Sequence, residues 1–235
     1  KFIDAKNNLS IQVHPDNDYA MRVEGEYGKT EAWYILDCDE GAELILGFNR
    51  EVSVEEFKKA AQSEEMLNIV NKVKVKKGDL FFIESGTLHA ICKGILLAEV
   101  QQNSNTTYRV YDYGRVGADG KPRALHIDKA ADVTKLCPPT ITNASEREVE
   151  KQDGGTRTHL TECDLFKMYS VETDGEYVSE AGDESFVSLL CLDGSAEVVC
   201  GKKTLGMKKG ESLFIPASSG EFKIIGKTHM LETRI

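Results

Sequence analysis

Lys77-Gly78-Asp79-Leu80-Phe81-Phe82-Ile83 recurs later in the chain as Lys209-Gly210-Glu211-Ser212-Leu213-Phe214-Ile215. Each copy sets a glycine and an acidic residue, which suit a tight turn, ahead of an apolar run that suits a buried strand. A second apolar run precedes each one, Ala32-Trp33-Tyr34-Ile35-Leu36 in the first copy and Phe186-Val187-Ser188-Leu189-Leu190 in the second. The interval between the two runs is roughly twenty residues longer in the first copy, the length of a helical insertion. The unit so repeated reads as a small β domain present twice.

Around the first copy, short β-rich runs separated by Gly, Asp and Asn dominate: Leu9 to Val13, Ala32 to Leu36, Ala42 to Gly47, Asp79 to Ile83, Ile95 to Val100 and Thr107 to Tyr111. They predict a sheet or barrel built of β-strands alone. The interruption is Ser53 to Asn71, where Ser53 precedes Glu55 and Glu56 as a helix N-cap would, and Phe57, Ala60, Ala61, Met66, Ile69 and Val70 recur near helical spacing. One or two helices packed outside the strands are expected there. From 117 to 155 the chain turns polar, with Pro138-Pro139 and the charged tract Glu146 to Asp153, and reads as a linker. Beyond it a second β-rich block runs from about Leu160 to Ile235.

A chain of 235 residues with 40% hydrophobic content buries a substantial core. No apolar run reaches the roughly 18 to 20 residues that span a bilayer, and no signal-peptide pattern opens the chain. The formal charge of −10 and the lack of clustered Lys and Arg argue against nucleic acid as a partner. The six cysteines, Cys38, Cys92, Cys137, Cys163, Cys191 and Cys200, are scattered without a CxxC pair, which suits free thiols and a cytoplasmic location. The start at Lys1, on a strand-like stretch without Met, reads as that of a fragment or trimmed product.

The phrase Gly-acidic-x-x-x-Ile-x-x-Gly/Ser resembles the second signature of the cupin family of small β-barrels, in which the turn leads a strand toward a metal-binding histidine. In the first copy it continues Ser85-Gly86-Thr87-Leu88-His89, with His89 at the ligand position. The second copy keeps Pro216 but has Glu221 at the histidine position. The resemblance implies a mainly β fold of two cupin-type (jelly-roll) barrels in tandem, the first binding metal and the second not. The expected division is 1–116 for a catalytic barrel with a helical insertion at 53–71, 117–155 for the linker, and 156–235 for a degenerate barrel.

Gln12 and His14 stand two apart in a strand, so their side chains share a face. Zinc accepts imidazole nitrogen and carboxylate oxygen, commonly with three protein ligands and one open position. His14, Glu31 and His89 supply that set, and Gln12 adds either a weak amide-oxygen ligand or a hydrogen bond that fixes a ring. Taken singly, each of these residues is more often a surface or satisfied core group, and His126, His159 and His229 are read in that way.

Four ordered motifs, Leu9-Ser10-Ile11-Gln12-Val13-His14-Pro15-Asp16, Gly28-Lys29-Thr30-Glu31-Ala32-Trp33-Tyr34, Ser85 to Ala90 and Glu99 to Asp112, together resemble type I mannose-6-phosphate isomerase in its short bacterial form. The likeness implies a zinc enzyme, one Zn2+ per chain, that interconverts mannose 6-phosphate and fructose 6-phosphate through an enediolate. It implies Gln12, His14, Glu31 and His89 as metal ligands, Arg109 as an active-site residue and Lys29 as facing the pocket. Ser104 and Thr107 are candidates for the substrate phosphate. The general base is not legible, with Lys29, Glu31 and a metal-bound water all open. The expected partner is a small phosphosugar, and the expected assembly a monomer or homodimer. Full-length relatives carry a further N-terminal segment, whose absence would leave a sheet edge uncovered. Two other readings stay open: an inactive metal-bearing module that binds sugar phosphate, and an iron-dependent cupin dioxygenase, which the Gln12-x-His14 pair in place of His-x-His disfavours.

Overall fold

The computed structural model describes residues 1–117, 120–140 and 147–235. The chain divides into two units, Lys1–Thr142 and Asn143–Ile235. In the first, the short β-rich runs form β1 (Phe2–Ala5), β2 (Ile11–Val13), then α1 (Asn17–Val23), β3 (Glu31–Cys38) and β4 (Glu43–Phe48). These are followed by α2 (Val54–Ala60), α3 (Met66–Ile69), β5 (Val70–Lys74), β6 (Leu80–Ile83), β7 (His89–Ile91), β8 (Ile95–Gln101), β9 (Tyr108–Tyr111) and α4 (Ile127–Val133).

The strands make two antiparallel sheets, ordered β1-β8-β3-β6 and β5-β4-β7-β2-β9. Alternation along each strand gives the sheets different faces. Leu44, Leu46 and Ile91 of the five-stranded sheet share a core with Trp33, Ile35, Phe81, Ile83 and Leu97 of the four-stranded one. The opposite face, carrying Ile11, Val13, Ile45, Ala90 and Val110, packs on Phe57, Ala60, Met66, Ile69 and Ala130. The unit is therefore layered sheet, sheet, helices, and each apolar face is covered once.

Ser53 caps α2 as expected, its hydroxyl accepting from the Glu56 N–H at 3.1 Å, with acidic residues in the first turn and Lys58 and Lys59 in the last. The helical reading of 53–71 ends early, however. Val70 and Asn71 belong to β5, which pairs with β4 through Phe48↔Val70 and Leu44↔Val73. β-Branched Val70 and Val73 favour extended backbone, and β4 offers an edge that satisfies their peptide groups.

The second unit is one seven-stranded sheet. Its strands are β10 (Val149–Gln152), β11 (Gly155–Cys163), β12 (Phe166–Ala181), β13 (Val187–Cys200), β14 (Lys203–Lys208), β15 (Ser212–Ile215) and β16 (Gly220–Arg234). They run in the order β10-β11-β12-β16-β13-β14, with β15 also on β13. The repeated phrase forms the same turn in both units. Gly78 and Gly210 have φ of 86° and 88°, the left-handed region that a side chain rarely adopts. Ile35 N–H donates to Asp79 O and Gly78 N–H to Ile35 O, both at 2.9 Å. The matching bonds in the second unit join Cys191 N–H to Glu211 O and Gly210 N–H to Cys191 O, again at 2.9 Å. By register, Glu31 opposite Ile83 corresponds to Val187 opposite Ile215, and Glu99 opposite Trp33 corresponds to Glu232 opposite Leu189.

Glu232 is fully buried, and its Oε1 accepts from Arg157 Nη2 and Arg234 Nε, each at 2.7 Å. Removing one partner of a buried ion pair strands the others. Glu232→Ala is expected to lower stability by about 3 kcal/mol in denaturant unfolding; a cost under about 1 kcal/mol would show that the two arginines find solvent instead.

Two expectations are corrected. Among the described residues the strand pairs do not close into a barrel: the first unit keeps two separate sheets, because no pair links them. The stretch 117–155 is more than a linker, since it holds α4, whose Ala130 is buried in the first unit's core, and β10, which joins the second unit's sheet. Positions 118–119 and 141–146 of that stretch lie outside the described residues. Among the described residues no helix is long and apolar enough to cross a membrane, and all six cysteines are free.

Candidate metal centre

Three chain segments bring His14, Glu31 and His89 together between the two sheets. Glu31 opens β3 on the four-stranded sheet, His89 opens β7 on the five-stranded one, and His14 follows β2. The His14 carbonyl accepts from Gly86 N–H at 2.8 Å, which ties the turn before His89 to His14. Lys29 N–H donates to Pro15 O at 3.0 Å, drawing the approach to Glu31 against the same loop. Gly28 permits that approach, because a Cβ there would lie 2.3 Å from the Asp16 carbonyl carbon.

Glu31 Oε1 lies 3.5 Å from His89 Nε2, and Oε2 lies 3.6 Å from His14 Nε2. All three side chains are at most 1% exposed. His14 Nδ1 sits 2.9 Å from Thr106 O and His89 Nδ1 2.8 Å from Thr87 O. A carbonyl only accepts, so each Nδ1 carries the proton and each Nε2 presents a lone pair. Burial, with the nearby His89 and Lys29, holds His14 well below its ordinary pKa, and burial pushes His89 down to about 4, so both rings are neutral. Burial also raises Glu31 against the pull of Lys29, whose Nζ contacts Oε2 at 2.9 Å as an ion pair.

The result is a buried cluster in which His14 Nε2, His89 Nε2 and Glu31 Oε1 have no hydrogen-bond donor, while Glu31 Oε2 meets the Lys29 ammonium. Unpaired buried acceptors are costly, and a cation would satisfy all of them. Zinc bonds of about 2.0–2.1 Å at tetrahedral angles put donors roughly 3.3 Å apart, close to the separations from Glu31 to the two rings. This is also the one group among the described residues in which three or more His, Cys, Asp or Glu side chains converge in that way. The donor set therefore fits a divalent metal.

Gln12 pairs across strands with both His89 and Arg109, which places the three on one face, the face that looks into the space between the sheets. Arg109 is half-buried; its Nη1 donates to Ala124 O at 3.0 Å, and its Nε is buried without a hydrogen-bond partner. Ser104 is tied into the loop beside the site. Its hydroxyl donates to Tyr27 O at 2.8 Å and accepts from Thr106 N–H at 3.1 Å, so it braces the loop that orients His14. Thr107 is half-buried beside that loop. Glu221 is exposed on β16, opposite Glu180. Glu221→Ala is accordingly expected to leave metal content, measured by elemental analysis, unchanged; a loss of metal would mean that the repeats are misaligned.

The sequence reading passed over Glu99 and His126. Glu99 is buried on the interior side of β8 and accepts from Trp33 Nε1 at 3.2 Å. Its period-two relation to the core residue Leu97 was the available signal. His126 Nδ1 accepts from the backbone N–H of Arg109 at 3.1 Å, a contact between segments 17 residues apart that no pattern announces.

A family model described as "Mannose-6-phosphate isomerase, cupin domain" matches residues 156–234, which gives the class of fold as cupin. In sequence, the chain is 40% identical over 227 residues to the mannose-6-phosphate isomerase ManA of Bacillus subtilis (strain 168), covering 96% of this chain and 71% of that protein. It is 37% identical over 231 residues to a mannose-6-phosphate isomerase of Streptococcus mutans serotype c, covering 98% and 72%. The crystal structure of the mannose 6-phosphate isomerase from Bacillus subtilis superposes with a TM-score of 0.91 at 38% identity, over 100% of this chain and 74% of that one. The chain belongs to the mannose-6-phosphate isomerase family.

Proposed function

We propose that the chain is an aldose-ketose isomerase that interconverts mannose 6-phosphate and fructose 6-phosphate, with one zinc ion held by His14, Glu31, His89 and Gln12. The observation that carries this reading is the convergence of the buried His14, Glu31 and His89, whose ring nitrogens and Glu31 Oε1 lack donors, beside the face shared by Gln12 and Arg109. A zinc ion held there would supply a Lewis acid to the open-chain sugar. A proton must pass between C1 and C2 through an enediolate, whose negative charge is the main electrostatic cost. Arg109 presents a fixed cation toward that charge from the same face as the ligands. Lys29, buried and paired with Glu31, adds a second positive group and orients the carboxylate. Because the ligand cluster is sealed from water, these charges act in a medium of low polarity and count for more.

On this reading the first cupin unit carries the catalytic site and the second lacks the ligands, with Val187 where Glu31 stands in the first. Ser104 and Thr107 are the hydroxyl candidates for the substrate phosphate. The cytoplasm is the proposed location, and the proposed assembly is a monomer or homodimer. The donor set alone would also suit an iron dioxygenase, against which stands the family to which the chain belongs. The deciding experiment follows interconversion of mannose 6-phosphate and fructose 6-phosphate by the metal-loaded chain, with and without chelator. Turnover that chelation abolishes is expected, and no turnover by the loaded protein overturns the proposal.

A further inference from the structure

We propose that His126 is a positioning residue for Arg109, holding that residue's backbone from the open edge of β9; the inference rests on the isomerase reading above. β9 ends the five-stranded sheet, so one edge pairs with β2 while the other meets no strand among the described residues. At that open edge Arg109 N–H donates to His126 Nδ1 at 3.1 Å, and His126 N–H donates to Arg109 O at 2.8 Å. The Arg109 head group is bound by the same segment, Nη1 donating to Ala124 O at 3.0 Å. Three hydrogen bonds from residues 124–126 thus fix both ends of Arg109, at an edge position whose peptide groups would otherwise face solvent.

The imidazole accepts at Nδ1, which requires a neutral ring with its proton on Nε2. Burial and the charge of Arg109 itself lower the His126 pKa and keep the ring in that state. The side chain makes no capping bond to α4, so it is not there for the helix. The segment is instead anchored by the helix: Ala130 N–H donates to His126 O at 2.8 Å, Ala130 is buried in the helix-side core, and Asp132 accepts from Tyr19 Oη at 2.8 Å. The helix layer on one side of the sheet therefore sets where the guanidinium enters on the other. A shift of about 1 Å in such a group costs on the order of 100-fold in rate.

The test compares the parent chain with His126→Ala and His126→Asn, metal-loaded, in the interconversion assay. Thermal unfolding, metal content and hydrogen exchange at the Arg109 amide are measured on the same samples. Asn places an acceptor oxygen near the position of Nδ1. His126→Ala is expected to lower kcat about tenfold or more with KM within about threefold, to leave metal content and Tm near the parent's, and to speed exchange at the Arg109 amide. His126→Asn is expected to restore most of the rate and the protection. Parental kcat in His126→Ala, a loss that His126→Asn does not recover, or one that follows metal content or Tm would overturn the inference. If the parent itself shows no turnover, the isomerase reading falls and this role with it; turnover by the parent with His126→Ala unaffected overturns the positioning role alone.

Discussion

Replacing His89 with Ala is expected to empty the metal site and to lower isomerase turnover about 1,000-fold or more, as chelation of the parent protein would. The size of the effect follows from the geometry. Glu31 and the two rings are at most 1% exposed, and their acceptors face each other at 3.5 and 3.6 Å. Without His89 an imidazole, a carboxylate and the weak amide oxygen of Gln12 remain, a poor set for a divalent ion. Water entering the vacated volume would also raise the local polarity and weaken every charge in the site. Elemental analysis should give about one metal per parent chain and almost none in His89→Ala, with the fold retained by circular dichroism. Full metal occupancy in the variant would remove His89 from the ligand set.

Arg109→Ala is expected to leave metal content intact while lowering kcat by about 100- to 1,000-fold, the cost of removing one preorganised charge from a developing oxyanion, about 3–4 kcal/mol. Arg109 shares the interior face with Gln12 and His89, and on the proposed function it meets the sugar there without being a ligand. The effect should therefore fall on kcat more than on KM, because the charge it meets is larger in the transition state than in the bound sugar. Arg109→Lys should recover only part of the rate, since an ammonium lacks the planar fork and the bond to Ala124 O that holds it. A variant with raised KM and unchanged kcat would make Arg109 a binding residue for the phosphate instead.

The two predictions rest on residues of different legibility. His14 and Gln12 were candidates because a strand repeats every two residues, and His89 because its turn phrase resembles a cupin signature. The hydroxyl of Ser104 is a phosphate candidate in a run that carries no sign of what it bonds. Its partners, Tyr27 O and Thr106 N–H, come from a loop 77 residues away and from its own turn. Val70 was read into a helix because apolar spacing alone cannot tell the last turn of a helix from the first residues of a buried strand.

The sequence by itself determined the mainly β character, the duplicated turn and the kinds of side chain available for a metal. These are local properties, set by periodicity, by the left-handed glycines at 78 and 210 and by the chemistry of single residues. Only the tertiary structure decided that the strands of the first unit form two facing sheets, that one Nε2 of each ring is left bare toward Glu31, and that His126 reaches Arg109. Those outcomes depend on pairings between distant segments and on burial, which removes water as the alternative partner; neither is written in any one stretch of the chain.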